Sequence, residues 1–244
     1  MYQFFVENEN VRQDTIVITG PDVNHIGNVL RMKPGERVRI SDTSGNAYFC
    51  HITEILSEEV WLSIEERDRQ GTEFSHQVTL FQGLPKGDKM ELVIQKAVEL
   101  GVHEIVPVAM KNCVVKLDEK KAQNKVKRWQ AIAESAAKQS KRTVIPKVHM
   151  PLSWKEAVER ARELSITLVP YENERGLAAT RDLICGIEDH ASIGVMVGPE
   201  GGFAKEEIAD VSEPLHRISL GRRILRTETA GLATLAMIIY QLDE

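Results

Sequence analysis

Two stretches near the C-terminus gather residues of the kind that bind anions and position small molecules. Gly198-Pro199-Glu200-Gly201-Gly202-Phe203 follows the apolar run Ile193 to Val197 and puts three glycines and a proline into five residues. Glycines there let backbone amides approach a ligand closely, and proline fixes the turn. The second stretch, Leu220-Gly221-Arg222-Arg223-Ile224-Leu225-Arg226-Thr227-Glu228-Thr229-Ala230, sets three arginines beside the start of a closing helix, with Thr227 or Thr229 as its N-cap. Guanidinium groups beside a helix N-terminus suit a phosphate or a carboxylate. A third stretch, Val169-Pro170-Tyr171-Glu172-Asn173-Glu174, ends another apolar run. All three follow predicted strands, and open parallel sheets take ligands outside the carboxyl ends of their strands. A tight strand-to-helix connection and a capped helix with solvent-facing arginines explain the same residues without a ligand, so local sequence leaves both readings open.

Several chemistries are disfavoured. There is no G-x-x-x-x-G-K-[ST] phosphate loop, no G-x-G-x-x-G opening a helix, no G-x-S-x-G elbow and no H-E-x-x-H. These absences disfavour a P-loop hydrolase, a Rossmann dehydrogenase, the commonest methyltransferase architecture, an α/β-hydrolase and a metalloprotease. Cys50, Cys113 and Cys185 form no C-x-x-C pair and read as reduced packing residues; no metal is expected.

The elements that must position these loops fall into two textures. Thr15 to Thr19, Arg37 to Ser41, Ala47 to Ile55 and Val60 to Glu65 read as short strands of a small barrel, with Thr43-Ser44-Gly45-Asn46 as a hairpin turn. Asp22 is placed to cap a short helix ending before Pro34-Gly35. Glu65 to His76 is the candidate linker, which divides the chain into residues 1–71 and 72–244. Beyond it apolar strands alternate with helices: strands at Val78 to Gln82, Glu104 to Val108, Thr167 to Val169, Ile193 to Val197 and His216 to Leu220. The helices are Lys89 to Leu100, Glu119 to Ser140, Ser153 to Leu164, Lys205 to Val211 and Thr229 to Leu242. The fold class is α/β with a mainly parallel sheet.

Charge is unevenly distributed. The chain of 244 residues has a net charge of −5, yet Lys111 to Lys147 holds eleven Lys or Arg against three acidic residues, a net +8 that leaves −13 elsewhere. Such a block gives an anionic partner a local footprint, and it equally describes a solvated helix face. Glu134, Lys138 and Arg142 recur every four residues and share one helix face. No charged-then-apolar leader opens the sequence, and Ala230 to Tyr240 is shorter than the roughly 20 residues of a membrane span, so a cytoplasmic protein is expected.

IQKAVELGV (Ile94 to Val102), WQAIAESAAKQSKR (Trp129 to Arg142), VGPEGGF (Val197 to Phe203) and LGRRILRTETA (Leu220 to Ala230) together resemble the bacterial 16S ribosomal RNA uracil-N-3 methyltransferases of the SPOUT superfamily. HIGNVLRMKPGE (His25 to Glu36) is similar to that family's N-terminal domain, so the resemblance spans nearly the whole chain. It implies a PUA-like or OB-like β-barrel that binds RNA, then an α/β domain tied C-terminally in a trefoil knot, in a homodimer. It implies S-adenosyl-L-methionine as cofactor, held by Pro170, Tyr171, Val197, Gly198, Gly201, Leu220, Gly221, Ile224, Leu225, Thr229 and Ala230. The family carries an arginine near the start of the chain where this sequence has Gln3; Arg12 and Arg31 are the nearest arginines.

The reaction expected is direct methyl transfer to N-3 of a uridine in 16S ribosomal RNA within the small subunit. Arg226 is expected to stabilise the developing uracil anion, and Glu228 or Glu200 to accept the proton. Arg12, His25, Arg31, Lys96, Gln139 and Arg142 are the expected RNA contacts. The alternatives are a transfer-RNA or large-subunit target, or an assembly factor that binds RNA without catalysis.

Overall fold

A computed structural model describes Met1–Asp243 and divides the chain into two compact units. The first comprises Met1–Glu73 with Ala137–Ile145, and the second Phe74–Ala136 with Pro146–Glu244.

The first unit is a curled five-stranded sheet of β1 (Tyr2–Val6), β2 (Thr15–Thr19), β3 (Arg37–Asp42), β4 (Ala47–Ile55) and β5 (Glu59–Asp68), in the order β1-β3-β4-β5-β2. Only the pair β1 and β3 is parallel. Register shifts between β4 and β5 at Phe49/Cys50 and Ile52/Glu54 add local bend, as bulges do. The concave side is filled by Phe4, Ile16, Ile18, Ile40, Ile52 and Leu62, all nearly inaccessible. Burial among them pushes the Cys50 thiol up to about 12, in keeping with an inert packing residue. Cys113 is buried too, but Cys185 is exposed, against the expectation that all three pack.

Helix α1 (Pro21–Asn24) continues as a π-helical turn over His25–Val29. It starts at Gly20 (φ 74°) and Pro21 rather than at an Asp22 cap; the Asp22 carboxylate instead takes the Lys138 ammonium at 3.0 Å. The predicted linker is in part strand, because β5 runs on to Asp68.

The second unit contains β6 (Gln77–Gly83), α2 (Lys89–Glu99), β7 (Glu104–Ala109), α3 (Glu119–Ser140, the last turn belonging to the first unit), β8 (Lys147–Val148), β9 (Leu152–Ser153) and α4 (Trp154–Ala161). It continues through β10 (Ile166–Pro170), α5 (Leu177–Cys185), β11 (Ser192–Val197), α6 (Lys205–Ala209), β12 (Leu215–Ile218) and α7 (Thr227–Leu242). Every strand pair is parallel, in the order β12-β10-β11-β6-β7-β8, with β9 also on β7. The sheet is covered by helices, so β11 and β6 are buried along nearly their whole length without alternation.

The chain leaves the sheet at its edge strand β12 and returns to the centre, where α7 packs on β6, β10, β11 and α2. Gly231 permits this approach: a Cβ there would lie 3.3 Å from Val197 Cγ2 and 3.4 Å from Leu80 Cδ1. The short β8 and β9 and the helix α5 carry no expectation from sequence. Among the described residues no helix is long and apolar enough to cross a membrane.

At the amino end of β7, Glu104 binds His149 Nε2 at 2.7 Å, Thr79 Oγ1 at 2.9 Å and Arg160 Nη2 at 2.6 Å. The His149 hydrogen bond, with those from Thr79 and Arg160, outweighs burial and holds this carboxyl down to about 2. A carboxylate depressed in the folded state contributes stability above its unfolded pKa, near 4.3, and loses that contribution as pH falls toward 2. Glu104→Gln is therefore expected to lower unfolding free energy at pH 7 by about 1 to 3 kcal/mol. In urea titrations from pH 6 to 2 the gap to the parent chain narrows with acid, whereas a constant gap contradicts this account.

Candidate functional site

Three loops at the carboxyl ends of β10, β11 and β12 close on a cleft of about 350 Å³, within the range of small-molecule sites. Pro170 and Tyr171 come from the first loop, Val197 and Gly198 from the second, and Leu220, Gly221, Ile224 and Leu225 from the third, with Ala230 on α7. The expected cofactor residues are thus brought together, apart from two. Gly201 faces Asn112, whose Cβ would lie 2.9 Å from an added Cβ and whose Nδ2 donates to the Gly201 and Gly202 carbonyls. Thr229 is exposed on α7, its amide bonded to the Arg226 carbonyl.

Close main-chain packing explains the glycines. A Cβ on Gly83 would lie 2.7 Å from Pro199 N, and one on Gly198 would lie 3.2 Å from the Phe203 ring. Gly202 (φ 66°) and Gly221 (φ 105°) adopt backbone conformations that side chains disfavour. The Phe203 ring is held edge-on by Trp154 at 5.9 Å, and Trp154 Nε1 donates to Asp210 at 2.9 Å. Buried Glu207 accepts from the Lys111 and Ala204 amides at 2.8 and 2.7 Å, tying the loop after β7 to the glycine-rich segment.

One hydroxyl joins the loop after β11 to the head of α7 and the end of β6. The N-cap of α7 is Arg226, and neither Thr227 nor Thr229 caps with its side chain. Thr227 Oγ1 instead donates to the Gly198 carbonyl at 2.7 Å and accepts from Gln82 Nε2 at 2.8 Å. All three residues are buried.

Of the expected catalytic residues, Arg226 and Glu200 line the cleft and Glu228 does not. Arg222, Arg223 and Arg226 are all exposed. Sequence reading missed Lys89, at the start of α2, which lines the cleft and bonds Glu200 at 2.8 Å. Its signal was weak, because a lysine in the first turn of an amphipathic helix reads as solvent-facing. Glu172 and Arg175 also line the cleft.

The expected RNA contacts are distributed differently. In the first unit Arg12, His25, Arg31 and Gln139 are exposed; the Arg12 guanidinium lies 5.4 Å from the Trp61 ring centroid, and Arg31 adopts φ 53°. Arg142 is a correction: it is 4% exposed and ion-paired to Glu73, whose carboxylate also takes the Thr143 and Val144 amides. Gln3 is buried as well, accepting from Arg39 at 2.7 Å, while Arg39 also pairs with Asp68 at 2.8 Å. Lys96, in the second unit, is bonded to Glu99 at 2.8 Å.

Comparison with known proteins agrees with this architecture. A family model described as an RNA methyltransferase domain matches residues 72–239, and one described as an RNA methyltransferase PUA domain matches residues 18–65. The chain belongs to this RNA methyltransferase family. It is 35% identical to ribosomal RNA small subunit methyltransferase E of Bacillus subtilis over 100% of this chain and 98% of the relative. It is 31% identical to the protein of that name from Mesomycoplasma hyopneumoniae, over 98% and 99% of the two chains. The crystal structure of ribosomal RNA small subunit methyltransferase E from Neisseria gonorrhoeae bound to S-adenosyl methionine superposes with a TM-score of 0.85, at 32% identity over 98% of this chain and 97% of that one.

Thr227→Val removes the bridging hydroxyl at nearly constant volume, leaving Gln82 Nε2 and the Gly198 carbonyl without it. A loss of about 1 to 3 kcal/mol in unfolding free energy is expected by chemical denaturation. Parental stability in this variant contradicts the bridging role.

Proposed function

We propose that this chain transfers a methyl group from S-adenosyl-L-methionine to N-3 of a uridine in 16S ribosomal RNA, on the small subunit and in the cytoplasm. The observation that carries this reading is the convergence of three strand-end loops on one cleft with Arg226 at its wall, in a chain of this family.

The residues present fit the cofactor. The glycines at 198, 202 and 221 keep Cβ atoms out of the loops, so backbone amides and carbonyls can meet a heterocycle. Glu172 offers acceptors for hydroxyl or ammonium groups, and Arg175, Arg222 and Arg223 offer donors for a carboxylate. When bound, the cofactor supplies an electrophilic methyl group on a sulfonium, so the protein's tasks are alignment and removal of the N-3 proton.

Arg226 stays protonated and presents several donors, which suits it to stabilise negative charge developing on the uracil oxygens. Uracil N-3 lies on the pairing edge, so the target base must be unpaired or flipped out. The first unit, Met1–Glu73 with Ala137–Ile145, supplies the grip on RNA through exposed Arg12, His25, Arg31 and Gln139. The α7 face bearing Ala236 and Tyr240, the latter 89% exposed, is the surface for a second copy of the chain.

The direct test is methyl transfer from labelled S-adenosyl-L-methionine to methyl-free small subunits, naked ribosomal RNA and transfer RNA, followed by nucleoside identification. Label in 3-methyluridine from small-subunit RNA is expected; label in another nucleoside or only in transfer RNA overturns the assignment. Arg226→Ala should lower turnover by about 100-fold or more while calorimetric binding of S-adenosylhomocysteine is retained. Near-parental turnover in that variant removes Arg226 from the mechanism.

A further inference from the structure

Lys89 is bracketed by two carboxylates from different parts of the second unit. Its Nζ donates to Glu200 Oε1 at 2.8 Å, and Glu228 Oε2 lies 3.5 Å away on the first turn of α7. Glu200 Oε1 also accepts the Lys86 amide at 3.0 Å, while Glu228 Oε2 is buried with no hydrogen-bond partner. The three groups carry one ammonium between two carboxylates, a net charge of −1, so together they can take up one proton and become neutral. Of the two carboxylates only Glu200 lines the cleft.

We propose that Glu200 accepts the N-3 proton and that Lys89 is a positioning residue, which makes this possible by moving from Glu200 onto the unfilled Glu228 oxygen. This rests on the uridine N-3 reading above. At rest, burial of Glu200 is outweighed by the Lys89 and Lys86 hydrogen bonds, which hold its carboxyl below the ordinary range. Departure of the ammonium removes the stronger of those restraints and raises the carboxylate's proton affinity when the base is in place. The N-3–H bond breaks and its proton passes to Glu200; the nitrogen's electron pair forms the bond to the methyl carbon, and the carbon–sulfur pair stays on sulfur as a neutral thioether. Glu200 then releases its proton to solvent and Lys89 returns.

The experiment compares Glu200→Gln, Glu228→Gln, Lys89→Met, Lys89→Arg and the Lys89→Met/Glu228→Gln double variant. It reads kcat and KM on small subunits, and S-adenosylhomocysteine affinity by calorimetry. Glu200→Gln should lower kcat about 100-fold. Glu228→Gln, which leaves the ammonium on Glu200, and Lys89→Met, which loses the 2.8 Å bond that orients Glu200, should each lower kcat about tenfold with KM and calorimetric affinity within about twofold. If Glu228 acts only through Lys89, the double variant falls no further than Lys89→Met alone. Lys89→Arg, which keeps the charge, should stay closer to the parent than Lys89→Met. Multiplicative losses in the double variant, parental kcat in Glu200→Gln, or equal losses in Lys89→Arg and Lys89→Met overturn the proposal. The ratios are read on whichever nucleoside the parent chain methylates, so a different product refutes the uridine N-3 assignment separately from the roles of these side chains.

Discussion

The shared hydrogen bond of Thr227, donated to Gly198 and received from Gln82, is the constraint on which the cleft depends. It lies where the chain, having left the sheet at its edge, comes back to the centre and starts α7. Its three members stand at the end of β6, just after β11 and at the head of α7, so it fixes the ends of three segments far apart in sequence. In a buried setting such a bond is made or the polar groups go unsatisfied, so the return path has little freedom. Gly83, Gly198 and Gly231 are the steric counterpart, each at a place where another segment fills the space a side chain would need.

Electrostatics divides along the same lines. Cationic side chains cluster on the loop after β12, exposed and able to meet phosphate, while the Glu200 and Glu228 carboxylates share the Lys89 ammonium of α2. A chain acidic overall thus presents positive charge where an RNA substrate would approach. The first unit repeats the pattern. Arg39 and Arg142 are consumed by Asp68 and Glu73 inside it, and Arg12 and Arg31 remain outside.

What the sequence made legible was what local physics determines. The apolar run Ile193 to Val197 had to be a buried parallel strand, and the glycines after it had to serve close packing or a ligand; Gly198 and Gly202 line the cleft, while Gly201 packs against Asn112. The helix Glu119–Ser140 was legible from end to end. The fates of Arg142 and Asp22 were not legible, because a charge at helical spacing looks the same whether it meets water or a buried partner distant in sequence. Lys89 escaped for the same reason: its partners Glu200 and Glu228 are more than a hundred residues away. Helix α5, opening after Gly176 without a side-chain cap, gave no start signal. The returning path of the C-terminal segment is a property of long-range topology, which composition and periodicity do not encode.

The central claim is that the three strand-end loops form one ligand site. Hydrogen exchange with and without S-adenosylhomocysteine tests it directly, reading backbone amides across the chain. The account predicts ligand-dependent protection concentrated at residues 170–172, 197–203 and 220–227 together. Binding that protects none of these segments, or only one of them, contradicts it.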